Sequence, residues 1–349
     1  EDLGYDWSES DADADSDTDA DADSDADADS DADTNIDTAD ELTNLNERID
    51  ETKLQIADFI VHHDDEQVYW INLTGTESLP TFNAVPLEVS NKLNDAIFAQ
   101  KKSTILTSAT LSIDGSLDYL ANETGLEDAD HLIVGSPFDY KTSALVLTVP
   151  DVPEPAESGY QQKLEDVLIQ VAEASNGGML VLFTAHSALQ STRKRIKPIL
   201  ETQGVTVLAQ GVDGSPNHLM KSMAKNRNTV LLGTSSLWEG IDLPGDALRV
   251  LVLARLPFAV PTDPIVSARS EKYEDPFSKL TIPQAILRFR QGFGRLIRTS
   301  TDRGIVLILD SRIVNRPYGK IFLRSLPNAT FHETMSRNIG HEIRNWLKT

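Results

Sequence analysis

Between Ala144 and Leu309, six short runs are apolar almost from end to end: Ala144–Val149, Met179–Phe183, Val205–Ala209, Thr229–Leu232, Val250–Ala254 and Gly304–Leu309. A strand with one wet face alternates apolar and polar side chains, so runs without alternation must be covered on both faces. Stretches with helical spacing lie between several of them: Tyr160–Ala174, Ser187–Gln203, His218–Lys225 and Ile282–Ile297. That succession predicts an α/β fold, a mostly parallel sheet with helices on both sides. Ser103–Leu106 is a further strand candidate upstream, Asp151–Ser158 (DVPEPAES) a natural boundary, and Arg316–Thr349 a closing helical segment.

The chain ahead of this pattern is of another kind. Asp11–Asp33 places Asp at every second position, with Ala, Ser or Thr between. Period two suggests a strand, but here it has no apolar face to bury and its like charges repel, so disorder is expected through Asp40. A solvated spacer or an acidic decoy for a basic surface both suit such a tract. Glu41–Asp58 is polar with helical spacing, and Phe59–His63, Asp64–Gln67 and Val68–Leu73 read as strand, turn and strand. Asp65-Glu66 invites comparison with an acid that holds Mg²⁺ at a strand end, but it reads better as a hairpin tip. His62 and His63 are neighbours on that strand and point to opposite faces, which suits no metal.

Composition narrows the chemistry. The 349 residues hold 31 Lys+Arg against 55 Asp+Glu, a net charge of −24. Glu1–Asp40 contributes 18 of those carboxylates and no base, and the remainder carries only −6. The acidity therefore does not exclude a nucleic-acid partner for the folded part. With no cysteine, the chain has no disulfide, thiolate zinc site, cysteine nucleophile or iron–sulfur cluster of its own. No apolar run nears the ~20 residues of a membrane span, and no signal-peptide pattern is present, so a cytoplasmic protein without membrane contact is expected. The first residue is Glu, and a fragment or processed chain is expected.

Four stretches carry possible chemistry. In QAILRFRQGFGRLIR (Gln284–Arg298), a continuous helix at about 100° per residue would gather Arg288, Gln291, Arg295 and Arg298 within about 80°. Ile282, Ala285, Ile286, Phe289, Phe293, Leu296 and Ile297 would take the opposite, core side. Clustered guanidiniums repel unless an anion neutralises them, and phosphate is their bidentate partner. A plain solvated face is the other reading. In VLLGTSSLWEGIDLP (Val230–Pro244), a strand runs into small hydroxyl and glycine residues that let backbone N–H groups approach phosphate or sugar. Asp242 could accept from a ribose hydroxyl, and Trp238 suits the core or a base-stacking platform. Ile105–Leu111 and Leu182–Ser187 each follow a strand with polar groups. His186 alone reads as a helix-start residue or a base.

In this order the four stretches resemble the C-terminal half of superfamily 2 DNA helicases of the DinG/XPD type. TSATL (Thr107–Leu111) is similar to helicase motif III, VLFTAHSAL (Val181–Leu189) to motif IV, GTSSLWEGIDLPG (Gly233–Gly245) to motif V, and QGFGRLIR (Gln291–Arg298) to motif VI, Q-x-x-G-R-x-x-R. GSPFDY (Gly135–Tyr140) and ARLPFAVPTDP (Ala254–Pro264) resemble the group's connecting segments, and the likeness runs from about Phe82 to Thr349.

The resemblance implies a P-loop NTPase (RecA-like) helicase C-terminal domain over residues 143–349. The end of an arch insertion and the last part of a first RecA-like domain would occupy 41–142, behind the acidic tract at 1–40. It implies ATP between two motor domains and single-stranded DNA across their top. Arg295 and Arg298 would be arginine fingers. Gln291, Glu239, Gly240 and Asp242 would contact the nucleotide. Thr184, Thr234 and Ser235 would grip the DNA, and Ser108 and Thr110 would couple hydrolysis to movement. No G-x-x-x-x-G-K-[ST] loop occurs in the chain. The Lys and Asp for Mg·ATP are therefore expected upstream, in the missing N-terminal motor domain, with no metal site here. A non-catalytic nucleic-acid-binding or regulatory module derived from a helicase is the alternative. A signalling α/β domain for phosphorylated ligands is a weaker third reading.

Overall fold

The computed structural model describes residues 29–61, 64–74, 79–108, 110–113, 115–126, 128–234, 237 and 247–348. The chain divides into two units, 1–64 and 65–349.

The described part of the first unit is one helix, Asp29–Val61. This corrects two expectations. Residues 29–40, expected to be disordered, lie in this helix, which begins inside the Asp repeat; acidic residues suit the N-terminal turns of a helix, whose dipole is positive there. Phe59–Val61 continues the helix instead of opening a strand. Ile56 and Phe59, three residues apart, are its less exposed apolar side chains, a helical spacing. His62 and His63 lie outside the described residues.

In the second unit β1 (Gln67–Thr74) pairs antiparallel with β2 (Leu79–Pro86), in register from Gln67↔Pro86 to Thr74↔Leu79. The hairpin is thus displaced downstream of the one expected, and Asp65-Glu66 is its approach, not its tip. Ser103–Leu106 forms no strand. Strands need a neighbour for their backbone groups, and among the described residues none pairs there; Ile105 stands 87% exposed.

The large sheet contains β3 (Ala144–Thr148), β4 (Met179–Leu182), β5 (Thr206–Ala209), β6 (Thr229–Gly233), β7 (Val250–Leu253), β8 (Gly304–Ile308) and β9 (Thr330–Glu333). Its order is β5-β6-β4-β7-β8-β3-β9, and every pairing is parallel. The reason is visible residue by residue. Leu145, Leu147, Met179, Val181, Val250, Val252, Ile305 and Leu307 enter one core; Ala144, Val146, Leu180, Leu182, Leu251, Leu253, Val306 and Ile308 enter the other. Helices Tyr160–Ser175, His186–Thr202 and Ile339–Lys348 cover the first face, and Pro216–Lys225, Ile282–Phe293 and Gly319–Ser325 the second.

Helix Tyr160–Ser175 hands over to β4 through Asn176, Gly177 and Gly178, with φ of 51°, 74° and 59°. A Cβ at Gly177 would stand 2.6 Å from the backbone of Asn228 and Thr229, so only glycine fits the turn that delivers β4. From β4 the chain leaves toward β5 over one face; from adjacent β7 it leaves toward β8 over the other. Ligands of open parallel sheets gather at such a reversal, beyond the carboxyl ends of the strands.

Candidate functional site

Beyond the carboxyl ends of β4, β5 and β6 three polar residues converge, His186, Gln210 and Thr234. Thr184 follows β4 and is exposed. His186, two residues on, opens the next helix and is also exposed. Thr234 follows β6 but is only 4% exposed. Its backbone N–H donates to Gln210 Oε1 at 2.9 Å, and its hydroxyl lies 3.3 Å from both Gln210 Oε1 and His186 Nε2. Gln210 comes immediately after β5 and was not legible as a site residue, since a lone Gln before Gly reads as a turn. Ser235, Glu239, Gly240 and Asp242 lie outside the described residues.

The Q-x-x-G-R-x-x-R stretch occupies the other end of the sheet. Its helix stops at Phe293, which corrects the continuous helix expected to Arg298. From Gly294 the chain tightens: Arg295 N–H bonds Gly292 O at 3.1 Å and Leu296 N–H bonds Phe293 O at 3.1 Å. Gly292 and Gly294 weaken the helix there, by about 1 kcal/mol each relative to alanine. The apolar side predicted for the helix is nonetheless buried throughout, with Phe289 at 0% and Leu296 at 3% exposure. Arg288 and Gln291 remain on the helix, whereas Arg295 and Arg298 stand on the turn that precedes β8.

Asp302 holds that turn. It accepts the backbone N–H of Arg298 at 2.8 Å, that of Thr299 at 2.9 Å and the Thr299 hydroxyl at 2.8 Å. Burial alone would raise its carboxyl pKa; these donors outweigh it and hold the carboxyl below the usual aspartate range. At the opposite end of β8, fully buried Asp310 accepts Arg312 Nε at 2.8 Å and Nη2 at 2.6 Å, and Leu256 N–H at 2.8 Å. That pair fixes the loop leaving β7.

Ser108 and Thr110 lie on an irregular stretch, with the Thr110 N–H 3.2 Å from Ser108 Oγ. Two residues on, the Ser112 carbonyl accepts from Arg290 of the motif-bearing helix. Sequence reasoning missed Arg290, which sits between the two faces of that helix.

Among the described residues no group of three His, Asp or Glu could hold a metal ion. Donors that suit a polyphosphate are present: two guanidiniums, Arg295 and Arg298, and the amide of Gln291, all on one short stretch. Among the described helices none is long and apolar enough to cross a membrane.

The fold is a RecA-like α/β domain, and residues 168–329 match the family described as the helicase C-terminal domain. The 3'-5' exonuclease DinG of Bacillus subtilis (strain 168) is 36% identical over 282 residues, 77% of this chain and 30% of the relative. The ATP-dependent DNA helicase YoaA of Escherichia coli (strain K12) is 35% identical over 280 residues, 79% of this chain and 42% of the relative. A solved XPD helicase superposes with a TM-score of 0.55 at 20% identity, over 74% of this chain and 47% of that one. Residues 168–329 thus carry a helicase C-terminal domain, in a chain similar over most of its length to relatives named DinG and YoaA and sharing its fold with XPD helicases. It spans less than half the length of these relatives.

Proposed function

We propose that this chain is the C-terminal part of an ATP-dependent DNA helicase, with the end of an arch insertion and the last part of a first motor domain in 41–142 and a whole second one in 143–349. One observation carries this reading. A single parallel sheet bears a guanidinium-rich turn at the amino end of β8 and a hydroxyl and imidazole cluster beyond the carboxyl ends of β4 to β6, in a chain whose relatives include proteins named DNA helicases.

In this reading Arg295 and Arg298 meet the transferring phosphoryl group of ATP. A guanidinium aimed there stabilises charge that builds mainly in the transition state, a contribution of about 10³–10⁵ in rate in well-studied NTPases. Asp302 keeps the Arg298 backbone in place. Gln291, Glu239, Gly240 and Asp242 contact the nucleotide, whose Mg²⁺ takes its ligands from another segment. Thr184, Thr234 and Ser235 form the single-stranded DNA edge, and Ser108 and Thr110 couple the two activities.

The isolated chain, without a P-loop, should bind single-stranded DNA weakly and salt-sensitively and should not hydrolyse ATP. Fluorescence anisotropy at low salt and a phosphate-release assay test both. No binding at any salt concentration would remove the nucleic-acid edge from the reading.

A further inference from the structure

Thr234 is placed at the DNA edge above, yet its side chain is buried, and it spends its hydrogen-bonding capacity on protein. Its N–H is held by Gln210 Oε1 at 2.9 Å, its hydroxyl is 3.3 Å from the same oxygen, and His186 Nε2 lies 3.3 Å away. A carbonyl oxygen only accepts, so Gln210 Oε1 takes both the N–H and the hydroxyl proton. The hydroxyl oxygen is then left as an acceptor, and an Nε2–H of His186 can donate to it. The far end of this chain, His186, is the exposed member.

We propose that His186, not Thr234, meets the phosphate of the bound strand, and that Gln210 and Thr234 are positioning residues that orient its imidazole. The inference rests on the nucleic-acid reading of this edge and deepens it. Thr234 engages the Nε2 edge of the ring, and His186 is itself exposed, so an N–H of the imidazole can donate to a phosphate oxygen. The half-buried Gln210 and buried Thr234 thus hold the exposed imidazole where a nucleic-acid strand crossing this end of the sheet reaches it.

Arg193, two turns along the same helix, is engaged with Asp213 after β5 at 3.0 and 3.2 Å.

The test uses the whole 349-residue chain, a fluorescein-labelled dT oligomer and anisotropy at low salt. His186→Gln, at an exposed site, should weaken binding several-fold. Thr234→Val should match that loss, the double variant should be no weaker than either, and Thr234→Ser should bind as wild type does. Binding unchanged by His186→Gln, or losses that add in the double variant, would overturn the inference while leaving DNA binding intact. No binding by wild type would overturn the underlying reading as well.

Discussion

Arg290 and Ser112 stand 178 residues apart in the chain and are joined, the Arg290 guanidinium donating to the Ser112 carbonyl and reaching its hydroxyl at 3.4 Å. Burial holds the Arg290 pKa below its ordinary value. Among the described residues no carboxylate pairs with this guanidinium, so its charge is stabilised by neutral oxygens alone. The bond ties the stretch carrying Ser108 and Thr110 to the helix that ends in the arginine turn.

A half-buried cation without an acid carries a desolvation cost that offsets much of its bonding. Arg290→Met should therefore change global stability by no more than about 1 kcal/mol. Amide exchange in residues 108–113 should nevertheless speed up clearly. Chemical denaturation together with hydrogen-exchange mass spectrometry checks both, and unchanged exchange in that stretch would show that the contact anchors nothing.

Steady-state ATPase of the complete motor separates the arginines. Arg298→Ala and Arg295→Ala should lower kcat by about 10³ or more while changing nucleotide affinity little. Lysine at either position should rescue poorly, because an ammonium lacks the bidentate fork. Arg288, exposed on the helix before the turn, should tolerate alanine. Small and equal effects at all three positions would mean a merely solvated face.

Asp302→Asn should cost about 1–2 kcal/mol at neutral pH, the worth of a few backbone bonds to a carboxylate. The folded pKa of Asp302 lies below its ordinary value, since its donors outweigh the opposing effect of burial. Its contribution is thus complete above the unfolded value of about 3.9 and is lost as pH falls through the lower folded value. Urea melts of both proteins from pH 7 to 2.5 should converge at the acid end. A gap that stays constant across this range would assign the loss to shape instead of charge.

Gly177→Ala should destabilise the fold by about 1–3 kcal/mol, since the methyl would need a positive φ and would meet backbone 2.6 Å away. Thermal melting measures it. Wild-type stability would show that the β4 approach can relax.

The sheet was legible where chemistry forces both faces to be dry. From β3 to β8 every strand matches an apolar run to within a residue or two at its ends. The ninth strand was not: Thr330–Glu333 reads TFHE, its residues are mostly exposed, and it lies on the sheet edge against β3 alone. Ser103–Leu106 shows the converse, an apolar run with no partner ladder. At the site, hydroxyls and arginines announced themselves by residue type and spacing. Gln210 and Arg290 did not, because each acquires its role from a partner that only the tertiary fold brings near. The helix end at Phe293 followed from two glycines whose cost was visible but whose effect on Arg295 and Arg298 was not.

The arginine turn and the Gln210–Thr234–His186 chain sit at opposite strand ends of one sheet, and β6 between those ends is five residues long, about 16 Å at ~3.3 Å per residue. A close-packed parallel sheet, sealed on both sides, yields little to compression. The domain is therefore stiff. In a sheet of that stiffness the turn ahead of β8 and the cluster around His186 keep a fixed spacing, so the two ends of the domain are positioned together.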